Sequence, residues 1–222
     1  MARMAATLLL ILLFPSLAFA AGSALPPAVD LSLRYQAFLA GAAVGEATVN
    51  VAWVDGAYVV QGSAHSKGLM QRFSKWRTHF TATGEFDGMA STGAEFSYSE
   101  RNSGSSRVVR VSDGVLDVQK NGRQRPLQPS PPGADLLNAL FVPPHCGGDQ
   151  VVHTGRYVYR LTHLEHNAAG CRYQVVDEDD DAFEMHLALK RIGELVVPER
   201  ITIYGRVTGW MELVELDQVA GP

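Results

Sequence analysis

The sequence predicts an all-β chain: one large curved antiparallel sheet (a β-spiral, half-barrel or open barrel) with one or two short helices. Three observations predict it. Apolar and polar residues alternate with a period of two along much of the chain, the signature of half-buried strands. Asp-Gly and Asn-Gly pairs, which suit the primed turns of hairpins, fall between those runs. Helical periodicity is confined to two short stretches.

Residues 1–20 stand apart from that fold and read as a secretory signal peptide. Arg3 supplies the positive start, Leu8 to Phe14 the apolar core, and Ala18-Phe19-Ala20 an A-x-A cleavage site. The mature chain is expected to begin at Ala21, with 21–222 forming a single β-rich domain. The apolar core is much shorter than the ~20 residues of a membrane span, and no later stretch reaches that length. No cysteine follows the cleavage site to carry a lipid. A soluble protein of the bacterial periplasm, without a transmembrane anchor, is expected.

Leu31, Leu33 and Tyr35 alternate with polar neighbours, as do Ala47, Val49, Val51 and Trp53. Trp76, Phe80 and Phe86 share a parity with Thr78, Ala82 and Gly84, opposite Lys75, Arg77, His79 and Glu85. Further strands are expected at 94–101, 107–112, 115–120, 156–164, 171–177, 182–190, 199–205 and 207–216. Turns are expected at Asp55-Gly56, Asp87-Gly88, Asp113-Gly114 and Asn121-Gly122. Lys67 to Phe73 suits one helical turn, and Ala134 to Phe141 a short helix stopped before Pro143-Pro144. The proline-rich segment 126–133 cannot join a ladder and is a connection. A linker between two small domains would leave open edges on each; one sheet that nearly closes hides them better.

Composition narrows the function. With 222 residues, 46% hydrophobic and 19% charged, the chain can bury a core and is not disordered. A net charge of -4 gives no electrostatic footprint for phosphates, so nucleic acid is not an expected partner. Its 2 cysteines, Cys146 and Cys171, should be oxidised to each other in an exported chain. No C-x-x-C spacing suggests redox chemistry, and the bridge is expected to be structural, contributing about 3 to 4 kcal/mol.

Motifs for chemistry are scarce. His163, His166, Glu165 and Cys171 cluster in sequence, but a bridged Cys171 leaves too few ligands for zinc. The run Asp177-Glu178-Asp179-Asp180-Asp181 begins like a calcium loop but has Ala182 at the sixth place and Ala188 at the twelfth. It reads as a solvated hairpin tip, with a weak calcium site as its alternative. G-x-S-x-G, S-x-x-K and H-E-x-x-H are absent, so no catalytic residue, metal or cofactor is expected. Trp53, Trp76, Phe80 and Phe86 form either ordinary core or the wall of a cavity for a lipid or other hydrophobic ligand. Lys67, Arg72, Lys75 and Arg77 cluster near them as a candidate rim.

In order along the chain come Tyr35, Gly41, Val44-Gly45-Glu46-Ala47, Tyr58-Val59-Val60, Ser66-Lys67-Gly68-Leu69 and the strand from Trp76 to Phe86. Asp135 to Leu140, the Cys146/Cys171 pair around Gly155 to Leu161, Val197 to Ile201, Gly209 and Leu213 follow. Over residues 30–216 this series resembles the domain of unknown function 3108 family of exported bacterial envelope proteins. One departure is His153-Thr154-Gly155-Arg156, where that family tends to have an aspartate-glycine-arginine turn. The resemblance implies a periplasmic spiral or half-barrel sheet with no established enzymatic activity. Such sheets are similar in outline to lipoprotein-carrier folds that hold acyl chains in a concave face, a likeness of fold alone. The expectation is a non-enzymatic envelope protein binding a hydrophobic ligand. A scaffold for a periplasmic protein partner and an envelope hydrolase are the alternatives.

Overall fold

A computed structural model describes residues 29–68, 70–86, 91–142, 146–167, 169–193 and 195–219. The signal peptide, Leu69, the Asp87-Gly88 turn and Pro143-Pro144 lie outside the described residues. The N-terminal run comprises β1 (Val29–Leu39), β2 (Ala42–Val54), β3 (Ala57–Ser66), α1 (Met70–Phe73) and β4 (Arg77–Phe86). It continues with β5 (Ser91–Asn102), β6 (Ser105–Ser112), β7 (Val115–Lys120) and β8 (Arg123–Gln124). Two-residue strands β9 (Gln128–Pro129) and β10 (Ala134–Asp135) lead into α2 (Leu136–Phe141). The C-terminal run is β11 (Gln150–His153), β12 (Val158–Asn167), β13 (Gly170–Asp177), β14 (Ala182–Ile192), β15 (Leu195–Tyr204) and β16 (Thr208–Val219).

All sixteen strands belong to one sheet, ordered β10 to β16, then β1 to β8, with β9 paired on β7. The fold is all-β, mostly antiparallel and barrel-like, with two short helices among the described residues; β10 and β11 pair in parallel. Its middle is the seam where β16 runs antiparallel to β1, from Asp30 opposite Val219 to Leu39 opposite Gly209. The sheet therefore consists of two meanders sewn together by the first and last strands.

The proline-rich crossing explains how the sheet nearly closes. It carries the chain from β9, on one margin, to β10 at the opposite end of the strand order. Only residues 130–133 lie between them, and such a stretch spans at most roughly 17 Å. The two margins are thus close in space, and α2 and β11 fold over the inner face of the N-terminal meander. His153 on β11 packs its ring edge against Phe96 of β5, with centroids 5.9 Å apart.

Turn chemistry agrees with the sequence. Asp55-Gly56, Asp113-Gly114 and Asn121-Gly122 all take positive φ at both residues, as a type I′ hairpin requires. Ala40-Gly41 and Ser103-Gly104 do the same without an Asp or Asn to announce it. Two full strands were not visible as alternation, β3 and β11. β3 carries adjacent apolar residues at Tyr58-Val59-Val60 and small ones after them, so pairing with β2 and β4 decides its state. Gly62 faces Phe80 across the ladder, and any Cβ at Gly62 would collide with that ring. β15 starts before Pro198, because the register with β14 shifts between Ala188 and Leu189 and leaves a bulge there. The Pro198 carbonyl accepts a 2.8 Å hydrogen bond from the Tyr35 hydroxyl.

The inward face carries the parity read as apolar: Leu31, Leu33 and Tyr35 on β1, and Val49, Val51 and Trp53 on β2, are all buried. Buried residues form two clusters. One fills the N-terminal meander and takes in Phe86, Phe96 and Phe141. The other lies under β11 to β15 and is built on Val152, Leu161, Tyr173, Val175, Met185, Leu187 and Ile201. The Cys146–Cys171 disulfide, with Cα atoms 5.4 Å apart, ties the segment after α2 to the start of β13.

Candidate functional site: an apolar cavity beneath helix α2

The C-terminal meander encloses a cavity of about 270 Å³. Period-two alternation builds its wall, because residues two apart on a strand share a face. Tyr159 and Leu161 of β12, Tyr173 and Val175 of β13, and Phe183, Met185 and Leu187 of β14 contribute in register. Val152 of β11 and Ile203 of β15 flank them, and Leu136, Ala139 and Leu140 of α2 form the floor. The polar members of the lining are Gln150, Thr154 and Asp177.

Burial along this wall is graded. At the disulfide end Tyr173 and Leu187 are 2% and 4% exposed, whereas Ile203 at the other end is 43% exposed. The cavity is therefore shut beside Cys171 and opens toward the β13–β14 turn. Gln150 Nε2 donates to the Tyr173 hydroxyl across the shut end at 3.1 Å. At the open end the Asp177 Oδ1 accepts from the backbone N–H groups of Asp179 and Asp181, at 3.0 and 2.9 Å. The acidic run is thus a hairpin tip held by its own first carboxylate.

Helix α2 is shared by both halves. Leu137 and Phe141 face the first cluster while Leu136, Ala139 and Leu140 face the cavity. Its start is set by Asp135, whose Oδ1 accepts from the N–H groups of Leu137 and Asn138 at 3.0 and 2.9 Å. Asn138 then pins it to the sheet: its Nδ2 donates to the Tyr58 hydroxyl at 2.8 Å, and its Oδ1 accepts from Ser91 Oγ. Burial raises the Asp135 carboxyl above the ordinary range, opposed by the N–H groups it caps. Burial, then the Asp135 charge, raises the Tyr58 hydroxyl.

Beside Asp135 on the neighbouring strand sits His153, also buried. Its Nδ1 accepts the Gly155 N–H at 3.2 Å, so the ring is neutral with the proton on Nε2, and burial lowers its pKa. A depressed imidazole stabilises the fold above its ordinary value of about 6.5 and withdraws that stability as pH falls. Acidification below that value is expected to lower the melting temperature. His153→Asn, which keeps an acceptor for Gly155, should flatten the profile. Parallel acid melting curves for the two proteins would count against this role. Asp135 and His153 border a polar recess of about 140 Å³, but each is engaged in local backbone capping.

The four aromatic residues singled out in sequence lie elsewhere. Trp53 and Phe86 are buried in the filled N-terminal cluster and Phe80 packs against it. Trp76 is half-buried before β4 and its Nε1 donates to Glu100 at 3.1 Å. None of them lines the cavity under α2. Nor do the candidate rim cations: Lys67 pairs with Glu46, and Arg72, Lys75 and Arg77 are exposed around α1. The aromatic residues of the cavity wall are instead Tyr159, Tyr173 and Phe183, on strands β12 to β14. His163 and His166 have ring centroids 5.8 Å apart on β12, and Cys171 is bridged. Among the described residues no three His, Cys, Asp or Glu side chains converge as a metal site would need.

Comparison with known proteins adds a likeness of structure. The chain is similar to a β-barrel-like protein of the domain of unknown function DUF1849 from Brucella abortus. The two share 11% identity over 87% of this chain and 99% of that one, with a TM-score of 0.49. No family model matches the chain, and no curated protein matches it.

Proposed function

We propose that this chain is a non-enzymatic periplasmic protein of the bacterial envelope that holds an apolar group in the cavity under α2. The graded, apolar wall of that cavity is the observation that carries the reading. An apolar group seated in a space of this size gains dispersion contacts with the whole wall. At about 270 Å³ it is nearly twice a ~150 Å³ cavity that takes a benzene. It suits a single chain end or ring system rather than a whole two-chain lipid. The Cys146–Cys171 bridge agrees with an exported protein, as does the expected signal peptide. The order of segments resembling the domain of unknown function 3108 family fits the same compartment. A scaffold role through an open sheet edge has less support, since the margins β8 and β10 are two residues long.

Native mass spectrometry of protein purified from periplasm, followed by organic extraction, is the test. A bound apolar molecule is expected on the native chain. Ala139→Phe, which turns a ring into the cavity from α2, should abolish that added mass with little change in melting temperature. A bare native protein, or a ligand undiminished in Ala139→Phe, would defeat the reading.

A further inference from the structure

The rim of the cavity carries an excess of carboxylates. Asp177 is the one charged residue in the lining among the described residues, and Glu178, Asp179, Asp180 and Asp181 follow it around the turn. The neighbouring cations are Arg156, Arg160 and Arg206. Arg160 is paired with Asp180 at 3.0 Å, and Arg156 lies over the Tyr157 ring, 3.8 Å from Glu100. Arg206 is exposed in the β15–β16 loop. The excess of carboxylates is felt inside the mouth: Tyr159 is raised first by burial, then by Tyr157, Asp177 and Glu178, with Arg156 opposing. Asp177 Oδ1 is occupied by the turn, which holds the carboxylate in place, and among the described residues nothing bonds its Oδ2.

Resting on the cavity reading above, we infer that the ligand is a small amphiphile whose polar end is a protonated amine, placed at Asp177 with its apolar part under α2. A carboxylate or phosphate end would meet this rim as a like charge after losing water, whereas an ammonium gains an acceptor in partly dry surroundings. The inference separates this cavity from one built for fatty acids or anionic lipids, which would need lysine or arginine at the same place.

Calorimetric titration of the chain with octylamine hydrochloride, octanol and sodium octanoate, at neutral pH and low salt, tests it. The three share one alkyl chain and differ in the charge of the end group. Octylamine is expected to bind roughly threefold more tightly than octanol and roughly tenfold more tightly than octanoate. Added salt should shrink both ratios. Asp177→Asn keeps the Oδ1 acceptor that the turn requires, and should bring octylamine down to the affinity of octanol. Octanoate binding as well as octylamine, or an amine preference that survives Asp177→Asn, overturns the assignment while leaving an apolar site in place. Failure of all three to bind, or binding unchanged in Ala139→Phe, overturns the cavity reading and the amine preference with it.

Discussion

Asn138→Ala is expected to cost about 3–5 kcal/mol and to lower the melting temperature by roughly 10 °C. Asn138 is 1% exposed and is the middle of a chain of three polar side chains that crosses from α2 to the sheet. Truncating it leaves the Tyr58 hydroxyl, itself buried, without its partner, and opens a void beside Leu137 and Phe141. The asymmetry of buried hydrogen bonds makes this worse than removing both ends: an orphaned group retains its desolvation penalty, whereas an apolar pair has none. Tyr58→Phe with Asn138→Leu should therefore be more stable than Asn138→Ala alone. Thermal melts of the three proteins check the order. If Asn138→Ala melts with the wild type, or the double variant lies below it, the polar pin is not what holds α2. Because α2 floors the cavity, ligand uptake should fall in Asn138→Ala in step with stability.

The second large effect concerns the disulfide. Cys146→Ser or Cys171→Ser is expected to lose about 3 to 4 kcal/mol, from a bridge between residues 25 apart in sequence. For a chain of this size the melting temperature should drop by roughly 10 °C. Cys171 is buried in the second cluster and Cys146 packs against it, so the bridge also anchors the segment leaving α2 to the shut end of the cavity. Reductant should lower the wild type to the level of the variants and leave them unmoved. A wild-type curve indifferent to reductant would show that the bridge does not support the fold.

Most of the architecture was legible because its causes are local. Leu31-Ser32-Leu33-Arg34-Tyr35 alternates whatever it pairs with, and Asn121-Gly122 accepts positive φ by its own chemistry. β3 and β11 were not legible, since neither alternates cleanly, and their state depends on a neighbour's ladder. The site was not legible either. Its lining runs from Leu136 to Ile203 across α2 and five strands, and each residue taken singly is indistinguishable from core. Asp177 reads in sequence as the start of an acidic turn, but nothing there places that turn at the mouth of a cavity.

By itself, then, the sequence determined an all-β chain of hairpins, the turns at Asp55-Gly56, Asp113-Gly114 and Asn121-Gly122, the disulfide pair and the alternation of the long strands, because periodicity and turn chemistry act over a few residues. Only the tertiary structure decided which parity of the long strands faces inward and where a cavity opens. That depends on how inward side-chain volumes sum across a curved sheet. Trp53, Phe86, Phe96 and Phe141 pack into one cluster, while Val152, Leu161, Val175 and Leu187, with Tyr159, Tyr173 and Phe183 among them, line a cavity of about 270 Å³.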